Sequence, residues 1–192
     1  MPDIDIDFAN RSQALEHFKY VTAAIEDNST FKKHNTGIYC TSIPYNPITG
    51  LSTIDYKEAE DRGYFKIDFL NVSVYEKVRD QEHLKQLMET EPLWDLLEQK
   101  EFTDLLFHVN GHTSLMKEMK PRSIEELAMC LALIRPAKRH LVGKTWTEIG
   151  TEIWTKPENG EYYFKKAHAI AYAHVVVIQM NLICESLSYG YS

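Results

Sequence analysis

Asp3, Asp5 and Asp7 alternate with Ile4, Ile6 and Phe8 at the head of the chain. A strand has a side-chain period of two, so this run puts three carboxylates on one face. Adjacent carboxylates repel one another, and the arrangement becomes favourable when divalent cations sit among them, because hard cations take oxygen ligands. A second alternating run covers residues 64–70, with Tyr64, Lys66 and Asp68 on one face and Phe65, Ile67 and Phe69 on the other. If the two strands pair, Asp68 joins the N-terminal carboxylates around the same ions. Two-metal phosphoryl transfer needs such a cluster, with ions about 3.5–4 Å apart, one activating the attacking oxygen and the other stabilising the leaving one. On spacing alone, the same alternation also describes an edge strand whose charged side faces water and discourages aggregation.

Other chemistry-bearing residues are less organised. His108 and His112 are four apart, which on a helix would suit a metal, but Asn110-Gly111 between them argues for a turn. His174 falls on an apolar helical run and reads as a satisfied core histidine. Trp94, Trp146 and Trp154 could stack on bases, yet tryptophans in a small domain belong more often to the core. Between Lys117 and Lys144 lies a basic cluster that includes Lys120, Arg122, Arg135, Lys138 and Arg139. It is either an electrostatic footprint for DNA or a solvated face balanced by Glu118, Glu125 and Glu126.

The elements that must position these residues follow from periodicity. Asn10 or Ser12 can cap a helix carrying Ala14, Leu15, Phe18, Val21 and Ile25 at helical spacing. Residues 37–43 are β-like, 44–50 form a loop, and 72–106 are helical and acidic with Pro92 opening a new segment. Ser123 followed by Glu126 makes a capping box for a helix ending at Pro136. Residues 157–160 form a turn, and a final helix runs from about Tyr163 into the high 180s. Strands early and helices late predict an α+β fold with a small sheet. The division expected is 1–75, strands bearing the carboxylates, and 76–192, a helical region packed on it with no clear linker.

The 192 residues, 44% of them apolar, suffice for an ordinary core, and no repeat or low-complexity tract is present. No secretory signal shows, and the apolar run 169–180 is short and holds His174 and Gln179, so a buried helix is expected and no membrane association. Three distant cysteines, Cys40, Cys130 and Cys184, fit a reduced, cytoplasmic protein. A net charge of −7 excludes a globally basic nucleic-acid binder, so DNA binding would need a local patch or a partner chain.

The wording of five segments is more specific. Residues 2–8, PDIDIDF, resemble the PDxDxDF motif of the bacterial replicative DNA polymerase III alpha subunit, the C-family of DNA polymerases. Residues 63–70, GYFKIDFL, resemble that family's strand with the third palm aspartate. Residues 103–111, TDLLFHVNG, look like a degraded form of its T-x-G-x-FQ-x-ES segment. Lys120-Pro121, with residues 124–127 and 132–136, resembles its KP-x-x-FEDL…AL-x-RPGP element, and residues 164–173, FKKAHAIAYA, resemble FNKSHAAAYA. The five occur in the family's order and reach nearly from end to end.

The resemblance implies a nucleotidyltransferase palm like that of the polymerase-beta group, with a mainly helical fingers-like part. It implies two magnesium ions held by Asp68 and a pair drawn from Asp3, Asp5 and Asp7, with Asp5 and Asp7 favoured. Lys66 would contact triphosphate or developing charge, and Arg135, Lys166 and His168 match basic positions of the family's blocks, as candidate phosphate or DNA contacts. Lys138 and Arg139 are further candidates, although they sit close to Pro136. The substrates implied are a DNA primer-template and dNTP, the nucleophile being the growing 3′-hydroxyl. The chain departs from the family by short spans where long inserts, including an LRRAMGKK-like fingers segment, are usual. RPGP has become Arg135-Pro136-Ala137-Lys138, and the PHP domain, clamp-binding region and OB-fold have no counterpart. Met1 abuts the motif, which leaves a fragment or split gene open beside a natural start. Three expectations result: a shortened polymerase needing a partner subunit, a non-catalytic accessory or decoy binding a host replication protein, and a phage or mobile-element nucleotidyltransferase with another substrate. Clustered carboxylates without a metal cost stability, which weighs against a pure decoy.

Overall fold

The computed structural model describes residues 4–158, 161 and 163–189. The chain divides into two compact units, Met1–Lys77 and Val78–Ser192, against the expected boundary of 75/76. The class is α+β, with the strands in the first unit and most helix in the second.

The first unit is built from β1 (Ile4–Phe8), α1 (Arg11–Leu15), β2 (Val21–Asp27), β3 (Thr30–Tyr39), β4 (Leu51–Asp55), α2 (Tyr56–Asp61) and β5 (Ile67–Asn71). The strands form one mixed sheet in the order β1-β5-β3-β2-β4. β1 runs parallel to β5 and β2 parallel to β4, while β3 is antiparallel to both β2 and β5. Leu15, Ile38 and Phe69 make a small core with Phe8 and Ile67. Ala59 of α2 packs with Ala23, Tyr39, Ile43 and Ile54 in a second one.

The helix expected to carry Val21 and Ile25 is only five residues long. Asn10 caps it, accepting from the Gln13 amide at 3.1 Å. Val21, Thr22 and Ile25 are β-branched and lie in β2 instead, where branched side chains fit a pleated surface. Asn28 and Ser29 both take left-handed φ, 48° and 62°, the geometry of a two-residue hairpin turn joining β2 to β3. Helical spacing in residues 14–25 was thus a coincidence of two short elements.

The second unit holds α3 (Gln81–Glu89), α4 (Lys100–Thr103), α5 (Thr113–Met119), α6 (Ile124–Leu133), α7 (Trp146–Glu152) and α8 (Lys166–Tyr189). The turn expected at 157–160 falls partly outside the described residues. α8 is long and apolar enough to cross a membrane by length and composition, with half of its apolar window buried. Here it is the core helix of its unit: Ala169, Ala173, Val176, Val177 and Met180 pack with Leu127, Leu131 and Leu133 of α6. Its polar residues are tied down as well. Asn181 Nδ2 donates to the Leu87 and Thr90 carbonyls, both at 2.9 Å, closing the C-terminal end of α3. Gln179 accepts from the Phe107 amide at 2.7 Å and donates to the Leu105 carbonyl at 2.8 Å.

Candidate functional site

The parallel pairing of β1 with β5 sets Asp5 directly opposite Asp68. Registered residues share a face, and adjacent strands lie about 4.8 Å apart, so the two carboxylates are neighbours across the ladder. Asp7, two residues on, lies on the same face beside Leu70. Asp68 is also in register with Gly37 on its other side, giving the row Asp5, Asp68, Gly37 across three strands. Asp3 lies outside the described residues.

Asp68 is the best-held carboxylate of the row. Thr36 Oγ1 donates to its Oδ1 at 2.7 Å, and the Lys66 ammonium pairs with Oδ2. Both partners are sheltered, at 16% exposure for the Lys66 side chain and 14% for that of Asp68, so solvent screens this pair less than a surface one. His34 Nδ1 stands 3.8 Å from Asp68 Oδ1 and accepts from the backbone amides of Gly37 at 2.9 Å and Thr36 at 3.3 Å. That acceptor role puts the ring proton on Nε2. Burial, then the nearby Lys66 charge, lowers the His34 pKa below the ordinary imidazole value, against the pull of Asp68 and Asp55.

These contacts come from a bulge that the sequence did not announce. Thr22 pairs with Ile38 and Ala24 with Lys33, so Ala23 alone stands opposite residues 34–37 of β3. The extra length swings His34 and Thr36 towards Asp68, as bulges beside functional sites commonly re-aim side chains. Gly37 closes the bulge where a Cβ would meet the Lys66 Cδ at 2.8 Å and His34 Nδ1 at 3.0 Å. Arg11 ties the back of the site, its Nε donating to the Phe69 carbonyl at 2.8 Å and Nη2 to the Thr36 carbonyl at 3.3 Å. Tyr39, 1% exposed, has no hydrogen-bond partner for its hydroxyl among the described residues. Burial first, then the charges of Asp55, Asp68 and Glu60, push its pKa to about 12. Sequence reasoning missed His34, Thr36, Gly37 and Arg11. The nearest signal was His34-Asn35-Thr36-Gly37 itself, a polar, glycine-ended stretch inside a strand-like run.

The magnesium implied by the resemblance can be tested against this donor set. Two carboxylates in register and a third one step along are hard oxygen donors of the kind Mg²⁺ takes. A cation already pairs with Asp68 in the form of the Lys66 ammonium, in a cradle that a Cβ at Gly37 would fill. The chemistry fits, although among the described residues no three His, Cys, Asp or Glu side chains converge as a ready ligand set.

The basic candidates all belong to the second unit. Lys138 departs from its expected role: it is 3% exposed, and its ammonium donates to the Glu152 carbonyl at 2.7 Å and to Thr155 Oγ1 at 3.0 Å. It caps the C-terminal end of α7, where a cation is favoured, and is not presented to a phosphate. The Arg135 guanidinium lies 4.9 Å from the Phe164 ring centre, and exposed Arg139 donates to the Ile134 carbonyl at 3.3 Å. Lys166 is exposed at the first position of α8, and His168 is half-buried two residues further. Within the basic cluster, Arg122 pairs with Asp95 at 2.7 Å and Glu98 at 2.9 Å, and Lys120 with Glu98 at 3.7 Å. Asp95 and Glu98 thus pair with this cluster; of the expected Glu118, Glu125 and Glu126, Glu126 accepts from the Arg122 backbone amide at 2.7 Å.

His108 and His112 do not share a helix. His108 takes φ +60° and Gly111 φ +74° in the turn that Asn110-Gly111 implied. Trp94 is core and donates to Glu91 Oε1 at 2.5 Å, while Trp146 and Trp154 pack against the same core. His174 corrects its expectation, because its buried Nδ1 has no hydrogen-bond partner among the described residues. No family model matches the chain, and no curated protein matches it either.

Proposed function

We propose that the chain is a C-family DNA-polymerase-like nucleotidyltransferase whose Mg²⁺ ligands are Asp5, Asp7 and Asp68, with Asp3 the remaining candidate. The observation that carries this reading is the register of Asp5 with Asp68 in adjacent parallel strands, with Lys66 paired to Asp68. In this reading the sheet is a small palm of the polymerase-beta kind, and residues 78–192 are the fingers-like part. Two bound Mg²⁺ ions supply Lewis-acid activation of the attacking 3′-oxygen and charge stabilisation of the leaving pyrophosphate oxygen.

The residues of the chain do the rest. Asp5 and Asp68 fix the position of positive charge by their register, and Asp7 extends the set along β1. Lys66, once off Asp68, offers a compact cation to triphosphate oxygens from the same face. No side-chain nucleophile is required, because catalysis of phosphoryl transfer rests on positioning and electrostatics. Primer extension on a primed template with Mg²⁺ tests the reading. Extension by the wild type should fall by at least about 100-fold in Asp5→Ala and in Asp68→Ala. Extension that survives both substitutions refutes the assignment.

A non-catalytic accessory or decoy that binds DNA or replication proteins is the second reading. Its replication-protein-binding form is favoured by the net charge of −7 and by the pairing of Lys138, Lys120 and Arg122 within the chain. A wild type that extends no primer yet is retained on DNA or by a replication protein would support it.

A further inference from the structure

We infer that the two oxygens of Asp68 have separate jobs: Thr36 fixes Oδ1 as a positioning residue, and Lys66 on Oδ2 is an exchangeable cation that gives way to a divalent ion. This rests on the metal-binding reading of the carboxylate row. Three observations on the bulge carry it. The Thr36 hydroxyl donates to Oδ1 at 2.7 Å, and its own backbone is pinned twice, by its amide on His34 Nδ1 at 3.3 Å and by its carbonyl under Arg11 at 3.3 Å. Oδ1 is therefore held by a short, β-branched side chain on a fixed backbone, which has little freedom to leave.

Lys66 differs in each respect. It lies just ahead of β5, reaches Oδ2 by a flexible four-carbon stem, and passes over Gly37, where the missing side chain leaves room for its Cδ. An ammonium is a point charge whose place on a carboxylate a hard cation can take. Asp5, directly opposite Asp68, supplies the second carboxylate that makes the exchange favourable for a doubly charged ion over a singly charged one. The bulge thus holds the carboxylate at a set angle while keeping one of its oxygens open to exchange.

The experiment is Mn²⁺ binding followed by electron paramagnetic resonance of the free ion, without DNA or nucleotide, with a thermal melt of each variant. Thr36→Val should weaken Mn²⁺ binding by about 10–100-fold, as loss of an outer partner does, and Thr36→Ser should restore it. Lys66→Met and Lys66→Gln should tighten binding by about tenfold, because a competing cation has gone. Asp5→Asn should abolish binding in every background. If the wild type binds Mn²⁺ through Asp5, but Thr36→Val binds equally well or both Lys66 variants bind more weakly, the division of roles is wrong and the metal site stands. Binding that appears only in the Lys66 variants, and is lost with Asp5→Asn, means that Lys66 does not give way in the wild type and overturns the exchange while the carboxylate site stands. No binding in the wild type or in either Lys66 variant, with native melting curves, overturns this inference and the metal reading together.

Discussion

Among the described residues of the first unit three side chains meet at one carboxylate, Asp68, whereas in the second unit polar side chains close helix ends and tie segments to one long helix. Thr36, Lys66 and His34 all face Asp68, and the apolar clusters around Ala23 and Ile38 in its unit are small. The second unit has a contiguous core from Trp94 to Met180, and its polar groups close helix ends or stitch segments to α8. His83, 5% exposed, and Arg79 both meet Glu185 there, at 2.8 and 3.0 Å. Clustered polarity around a single group is costly unless it serves that group, while dispersed polarity serves the fold. On the reading proposed above, the first unit holds the chemistry, while the second holds the larger apolar core.

The largest effect should come from the second core. Leu131 is 1% exposed on α6, facing α8. Leu131→Ala should destabilise the chain by about 2–5 kcal/mol in denaturant unfolding. Amide hydrogen exchange locates the loss: faster exchange in residues 124–189 with little change in 4–71 keeps the comparison, and equal acceleration in both breaks it.

Lys138 and Arg139 sharpen the same contrast at neighbouring positions. Lys138→Ala removes a buried charged hydrogen bond to the end of α7 and should cost about 2 kcal/mol. Arg139→Ala, at an exposed residue, should stay within about 0.5 kcal/mol. If the second unit also touches DNA, Arg139→Ala should lower the salt slope of DNA binding by about one, and Lys138→Ala should leave the slope unchanged. A slope that responds to Lys138 instead would mean that its ammonium leaves Glu152 for phosphate.

How far the sequence reached follows the same division. The strand of alternating aspartates, a second strand carrying Asp68, the Ser123 cap and the long final helix were legible, because each is written in a local period or cap; the second strand begins at Ile67, which leaves Tyr64 and Lys66 ahead of it. Ser123 does accept from the Glu126 amide, at 3.2 Å. The bulge was not legible, because the register that exposes it is a relation between β2 and β3, and no local pattern shows how many residues of one strand face the other. Lys138 was misread for a related reason: a lysine in a basic run looks solvated until the end of α7 is placed against it. The Asn28-Ser29 hairpin was missed because Asn-Ser lacks the glycine that usually signals a left-handed turn.

The smallest effect separates the two units by how each holds a carboxylate. Asp55 caps α2, accepting from the Lys57 amide at 2.8 Å through Oδ1 and from the Glu26 amide at 2.8 Å through Oδ2. Burial pushes its carboxyl up, but backbone donors at Glu26, Lys57 and Glu58, with the Lys57 charge, outweigh that and hold the pKa below the usual aspartate value. A lowered folded-state pKa means that the stabilisation is fully present above the unfolded pKa, about 3.9, and is lost as pH falls through the lower folded value. Asp55→Ala should therefore lose about 1 kcal/mol at neutral pH, and the gap to wild type should close below about pH 4. Added salt should leave that gap nearly unchanged, because the donors are neutral amides fixed by the sheet. Glu98 is the counterpart in the second unit, lowered chiefly by the hydrogen bond from Arg122, with its side chain 28% exposed. The gap between wild type and Glu98→Gln should close over the same acid range but also shrink as salt rises, since solvent screens that pair. Equal salt sensitivity at the two positions would erase the distinction between a carboxylate held by backbone in the first unit and one held by a surface cation in the second.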